Sequence, residues 1–288
     1  MKYRADIDGL RAIAVLPVVL YHAGFGFPGG FVGVDVFFVI SGYLITSLIL
    51  KDANTGAFSL ATFWERRVRR ILPPLLPVLA VSFIAGWFWM LPVDFRNLGG
   101  ATAAQSVMMA NVWFWTQGGY FNTSSDTEPL LHLWSLAVEE QFYVLFPLLL
   151  VALRRYRIST VGVLLALAAG SFALSAVLVF IDTSAAFYLM PTRAWELLLG
   201  ALLCFAPQST APRRWLAEIA ALLGLVIIVA VSRVYTVGTP FPGAAALPPC
   251  LGAMLVIWAG SGTSTLTGRM LAAFPLRSIG LISYSLYL

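Results

Sequence analysis

Apolar runs of roughly 17–25 residues recur along this chain of 288 residues, and each is long enough to cross the hydrocarbon of a bilayer. They lie near 10–27, 31–50, 72–91, 134–153, 159–181, 216–232 and 244–260, and a shorter run of the same kind lies near 194–206. A ninth starts near 278 and is cut by the C-terminus. Such runs predict an all-α polytopic transmembrane helix bundle of about 8–9 spans, the last of them truncated. Composition agrees: 60% of residues are hydrophobic and 11% charged, whereas an ordinary soluble domain is nearer half apolar and a quarter charged. The segment 98–118 is only moderately apolar and reads as an amphipathic or re-entrant helix.

Charge placement sets an orientation. With the N-terminus in the cytoplasm and the runs alternating sides, fifteen of the eighteen Lys and Arg fall at the inner face, and only Arg96, Arg193 and Arg233 fall outside. The net charge of +5 therefore belongs to the membrane's inner face and does not point to a nucleic-acid partner. No cleavable signal peptide is expected, because a second span follows the first almost at once. Cys204 and Cys250 have no metal-binding spacing and read as buried thiols, and no metal site is expected. The longest outer loop, roughly 92–133, is polar and aromatic-rich around Gly118–Asp126.

Within the first run lies His22, one of two histidines. An ionisable residue in a span is costly and marks a functional site by default. Arg11 precedes it by eleven residues, so both project from one helix face about 16 Å apart. Spans one and two join through a Gly-rich turn whose midpoint is between Pro28 and Gly29. His22 and Asp35 are equally distant from that midpoint and so reach similar depth. A carboxylate beside an imidazole fixes its tautomer, as a general base needs. The expectation is therefore a His22–Asp35 pair, although Asp35 also reads as a cap of the second span.

Four arginines, Arg66, Arg67, Arg69 and Arg70, crowd the inner end of the third span. They anchor topology, and guanidinium forks also suit a cytoplasmic polyphosphate such as the nucleotide end of coenzyme A. At the outer start of the fourth span, His132 and Glu139 are seven apart, and Glu139 with Tyr143 forms an i, i+4 pair. Glu139 joins His22 and Asp35 as a candidate catalytic group. Trp134 belongs to the aromatic belt or to an acceptor site. Arg193 and Glu196, at i, i+3, read either as an ion pair locking two helices or as acceptor contacts.

These segments together resemble the acyltransferase-3 family of integral membrane acyltransferases. The stretch Asp6 to His22 is similar to that family's Arg-x10-His signature, and Gly33 to Ile45 to its second-span signature. Arg67-x-x-Arg70, Trp134-Ser135-Leu136-x-Val138-Glu139 and Arg193-x-x-Glu196 match further family patterns. The resemblance runs from about residue 4 to the end of the chain. It implies an enzyme that moves an acyl group, commonly acetyl from acetyl-CoA, to a hydroxyl of an exported glycan such as O-antigen or peptidoglycan, with no bound cofactor. It also implies a multi-pass protein of the bacterial inner membrane, partnered by acyl-CoA, a cell-surface polysaccharide or lipid-linked glycan, and the bilayer. The whole chain, 1–288, then reads as one such transmembrane domain, incomplete at its C-terminus and without the soluble C-terminal domain some members carry.

The implied roles divide by depth. Arg11 and the Arg66–Arg70 cluster would hold the donor, and His22 would act toward the glycan as base or as covalent carrier. The competing reading is a transporter or flippase of lipid-linked saccharides, which also uses buried charge but predicts an internal repeat and no CoA dependence. No repeat is evident.

Overall fold

The structure is a computed structural model that describes residues 3–118, 128–206 and 213–288. Among these residues it is helical, with no strand. Five helices are long and apolar enough to cross a membrane, counting the 3-10 turn that leads into the first of them: Gly30–Asn54, Leu60–Trp89, Leu133–Arg155, Thr160–Ile181 and Arg214–Val234. The expected loop around Gly118–Asp126 falls almost wholly outside the described residues.

Helix α1 (Ala5–His22) is an 18-residue element that begins with Asp6, Asp8 and Arg11 and is buried along much of its length. Helix α2 (Gly33–Asn54) returns beside it. Helix α3 (Leu60–Trp89) starts at Ser59, whose hydroxyl accepts from the Thr62 amide. The moderately apolar segment forms two helices, α4 (Pro92–Ser106) and α5 (Ala110–Thr116), separated where Met108 takes a positive φ. Then come α6 (Leu133–Arg155) and α7 (Thr160–Ile181), the short α8 (Thr183–Tyr188), and α9 (Met190–Leu203). Helices α10 (Arg214–Val234) and α11 (Leu247–Ala259) pack against each other.

The expected ninth span does not form as one rod. The chain instead folds as α12 (Leu266–Leu271), α13 (Phe274–Leu281) and α14 (Ser283–Tyr287). The Thr265 side chain caps α12, and Pro275 opens α13, where its missing amide costs nothing. The 194–206 run likewise yields a 14-residue helix, α9, that is buried rather than lipid-facing.

Two helix contacts position the site. On α2, Asp35, Val39 and Gly42 are spaced i, i+4, i+7 and form one stripe. On α9, Arg193, Glu196 and Gly200, spaced i, i+3, i+7, form another. A Cβ on Gly42 would collide with the Leu197 carbonyl, and one on Gly200 with the Val39 carbonyl. Only glycine lets these backbones meet, and small residues serve this purpose at membrane helix interfaces generally. The contact sets the charged ends of the two stripes face to face.

The faces of the bundle differ in charge. Arg66 reaches Asp52 at 3.1 Å and Arg154 reaches Asn54 at 3.4 Å, so the ends of α2 and α6 and the start of α3 share one basic face. Arg4, at the start of α1, contacts the Ile257 carbonyl at 3.0 Å on that same face. His22 and His132 lie toward the opposite face, at the far end of α1 and the first turn of α6.

Candidate active site

Two adjoining cavities lie within the bundle, one between α1, α2, α3, α6 and α14, the other between α1, α2, α8, α9, the start of α6 and the end of α14. The first, on the basic side, is lined by Arg11, Arg67, Arg70, Ser41, Glu139 and Tyr143 among others. Arg67 and Arg70, three apart, share a helix face and point inward. Arg66 and Arg69 occupy the adjoining face and point away. Arg66 pairs with Asp52, and Arg69 with Glu65 at 2.6 Å in an exposed i, i+4 bridge. Of the four arginines expected to hold a donor, the structure turns Arg67 and Arg70 into this cavity and Arg66 and Arg69 toward ion pairs outside it, because a 3.6-residue turn cannot aim four neighbours at one point.

Arg67 lies over the Phe63 ring, 5.8 Å from its centroid, and its buried Nε has no hydrogen-bond partner. Glu139 is the acidic group of this cavity. It accepts from the Ser41 hydroxyl at 2.8 Å and the Tyr143 hydroxyl at 3.0 Å, one on each carboxylate oxygen. Its position is thus fixed from two helices, opposite three guanidinium groups. Seven residues of helix separate Glu139 from His132 by about 10 Å. The structure places Glu139 with the arginines and His132 with His22.

The second cavity is lined by His22, Glu128, His132, Trp134, Phe187 and Phe241 among others. The His22 Nδ1 lies 2.8 Å from the Val18 carbonyl oxygen. A carbonyl only accepts, so Nδ1 carries the proton and Nε2 is the atom able to accept another. His132 sits at the entrance of α6, and its ring packs edge-on against Tyr287. Burial, reinforced by the nearby His22, lowers its pKa from 6.5 to about 4. It is neutral at neutral pH.

Asp35 is not the partner of His22. It faces Arg193, with 3.1 Å between Oδ1 and the guanidinium, and neither carboxylate oxygen takes part in a hydrogen bond. Equal depth in a hairpin does not mean an equal face: the α2 stripe bearing Asp35 turns toward α9. The tautomer of His22 is set instead by its own helix backbone, four residues back. Arg193 also meets Glu196 at 2.9 Å, as the i, i+3 spacing predicts. All three side chains are buried.

Four rings surround the Arg193 guanidinium, those of Phe38, Trp134, Phe187 and Phe241, at 5.5–5.7 Å. Oxygen and sulfur atoms of Asp35, Glu196 and Cys250 lie within 4.8 Å of one another, and Arg193 supplies the cation between the carboxylates. Arg193 and Trp134 both reach the second cavity, so this caged charge forms part of its floor.

Sequence reasoning did not single out Ser41, Glu128, Phe187, Phe241 or Tyr287. Ser41 was within reach of it, since it lies one residue from the Gly42 that marks the packed stripe of α2. The aromatic residues come from separate helices and loops, and only the packing gathers them.

Comparison with known proteins agrees on a single family. A family model described as "Acyltransferase domain" matches residues 4–288. The chain is 34% identical to the peptidoglycan O-acetyltransferase OatA of Listeria monocytogenes, over 100% of this chain and 49% of that protein. It is 35% identical to BcsY, a proposed membrane-bound transacylase of Komagataeibacter xylinus, over 99% of this chain and 71% of that protein. It is 40% identical to a proposed O-acetyltransferase of Staphylococcus aureus strain MSSA476, over 71% of this chain and 35% of that protein. The chain thus spans about half the length of OatA. No solved structure matches.

Proposed function

The chain belongs to the acyltransferase family whose domain it matches from residue 4 to residue 288, and from that premise we propose a membrane O-acyltransferase that works across the bilayer. The donor is an acyl-CoA, acetyl-CoA in the simplest case, entering from the cytoplasm. The acceptor is a hydroxyl of an extracytoplasmic glycan. Peptidoglycan, the acceptor class in the name of OatA, and O-antigen are the leading types. The protein sits in the inner membrane of a bacterium with its N-terminus cytoplasmic, a reading that the gathering of Arg4, Arg66 and Arg154 on one face of the bundle supports.

One observation carries this reading: two cavities of opposite chemistry adjoin inside the bundle, three arginines in one and His22 in the other. Arg11, Arg67 and Arg70 suit the phosphates of coenzyme A. The narrow pantetheine arm then points the thioester toward His22. The sugar hydroxyl gives its proton to Nε2 of His22 while its oxygen attacks the thioester carbonyl. The carbon–sulfur bond breaks, the thiolate recovers the proton from the imidazolium, and the products are an O-acyl sugar and free CoA. Rings of Trp134, Phe187 and Phe241 offer the sugar an apolar wall.

Reconstitution into proteoliposomes tests the reading. Acetyl-CoA on the side of the basic face and a muropeptide or oligosaccharide acceptor on the other should release CoA thiol and yield an acetylated glycan. Movement of a lipid-linked saccharide without thioester consumption would replace this reading with a transporter.

A further inference from the structure

The two cavities have two lining residues in common, Val34 and Tyr287. Val34 lies in the first turn of α2, and Tyr287 ends α14. We propose that Val34 and Tyr287 frame the aperture through which the donor's acyl group passes toward His22, and that this aperture sets the longest acyl chain transferred. The proposal rests on the acyl-transfer reading above.

Both edges of the aperture are held. Gly33, adjacent to Val34, packs so closely on α1 that a Cβ there would collide with the Ala14 carbonyl. The α2 backbone at this point therefore has no freedom to move toward α1. Val34 is buried and, being β-branched, is confined to essentially one rotamer in a helix. The Tyr287 hydroxyl lies 2.6 Å from the Ser135 hydroxyl and donates to the His132 carbonyl at 3.2 Å. Its ring packs edge-on against His132 at 5.8 Å on one side and Phe37 at 6.3 Å on the other. A hydroxyl on α6 thus fixes one wall of the opening, and a stiff aliphatic side chain fixes the other.

The lining has the chemistry of a size filter. Val34 contributes methyl groups and Tyr287 a ring face, with no charged group from either. A short acyl group meets only apolar walls, and each further methylene must fit the same gap. Discrimination by a single methylene in an apolar site is worth about 10-fold or more.

A chain-length series tests this. The protein in proteoliposomes is supplied with acetyl-, propionyl- and butyryl-CoA and one common acceptor, and kcat/KM is measured for each. Wild type should fall at least about 10-fold from acetyl to butyryl. Val34→Ala and, independently, Tyr287→Leu should raise the butyryl-to-acetyl ratio by about 10-fold. An unchanged ratio in the variants of an active wild type overturns the aperture and leaves the acyl-transfer reading standing. A wild type that consumes none of the three thioesters removes that reading and the aperture with it.

Discussion

Arg193 and Asp35 lie 3.1 Å apart, both side chains buried, at the floor of the cavity that holds His22. Their contact joins α9 to α2 where Gly42 and Gly200 bring the backbones together. Glu196 makes the arrangement two carboxylates around one guanidinium. The stabilities of variants should follow that count. Arg193→Met leaves two buried carboxylates without a cation and should cost about 3–5 kcal/mol. Asp35→Asn keeps the Arg193–Glu196 pair and should cost distinctly less. Thermal unfolding in detergent measures both. Equal losses would show that the three groups do not share one charge.

The arginine cluster divides into two faces with separate consequences. Arg67→Ala with Arg70→Ala should raise the donor KM by about 10-fold or more and leave the acceptor KM nearly unchanged, because charge-assisted contacts to phosphate are lost. Arg66→Ala with Arg69→Ala should change neither by more than about 2-fold, since exposed ion pairs contribute little. Donor titrations on the two double variants compare them directly. A larger effect from the second pair would contradict the inward and outward assignments.

His22→Ala should lower transfer by about 10²-fold or more, the usual range for removing a general base. His22→Gln should not rescue it, because an amide hydrogen-bonds without accepting a proton. Asp35→Asn should leave the pH dependence of transfer where it is in wild type, since the Val18 carbonyl and not Asp35 orients the ring. The readout is acetylated-glycan mass spectrometry at matched membrane levels, with rates taken across pH. Full acetylation by His22→Ala would return this histidine to a structural role.

Stability should also respond to pH through His132. Its folded pKa of about 4 lies below the ordinary 6.5. Between these values the unfolded chain takes up a proton that the folded one does not, so stability rises with pH across the window. It is greatest above about pH 6.5 and declines as pH falls toward 4. His132→Gln should flatten that slope. Melting temperatures of the two proteins from pH 4 to 7 supply the comparison, and parallel curves would rule His132 out as the cause.

Some of this was legible in the chain. Run lengths and the Lys and Arg distribution specify helices and their order, because lipid penalises unpaired backbone and charge wherever they fall. Spacing within one helix was equally readable. Arg11 and His22 line two adjoining cavities, Glu139 bonds Tyr143 one turn on, and Arg193 pairs with Glu196. Such relations need only the 3.6-residue turn.

What the tertiary structure decided was which face meets which neighbour. Depth put Asp35 beside His22, yet the glycine contact of α2 with α9 gave Asp35 to Arg193. Nothing local distinguishes the two outcomes, since a helix can be rotated about its axis without changing its sequence pattern or its depth. The same holds for Tyr287, whose place between the cavities depends on the broken α12–α14 segment folding back to Ser135, 152 positions away in the chain. Periodicity fixes relations along one helix axis, and close packing between helices selects the lateral partners that make a site.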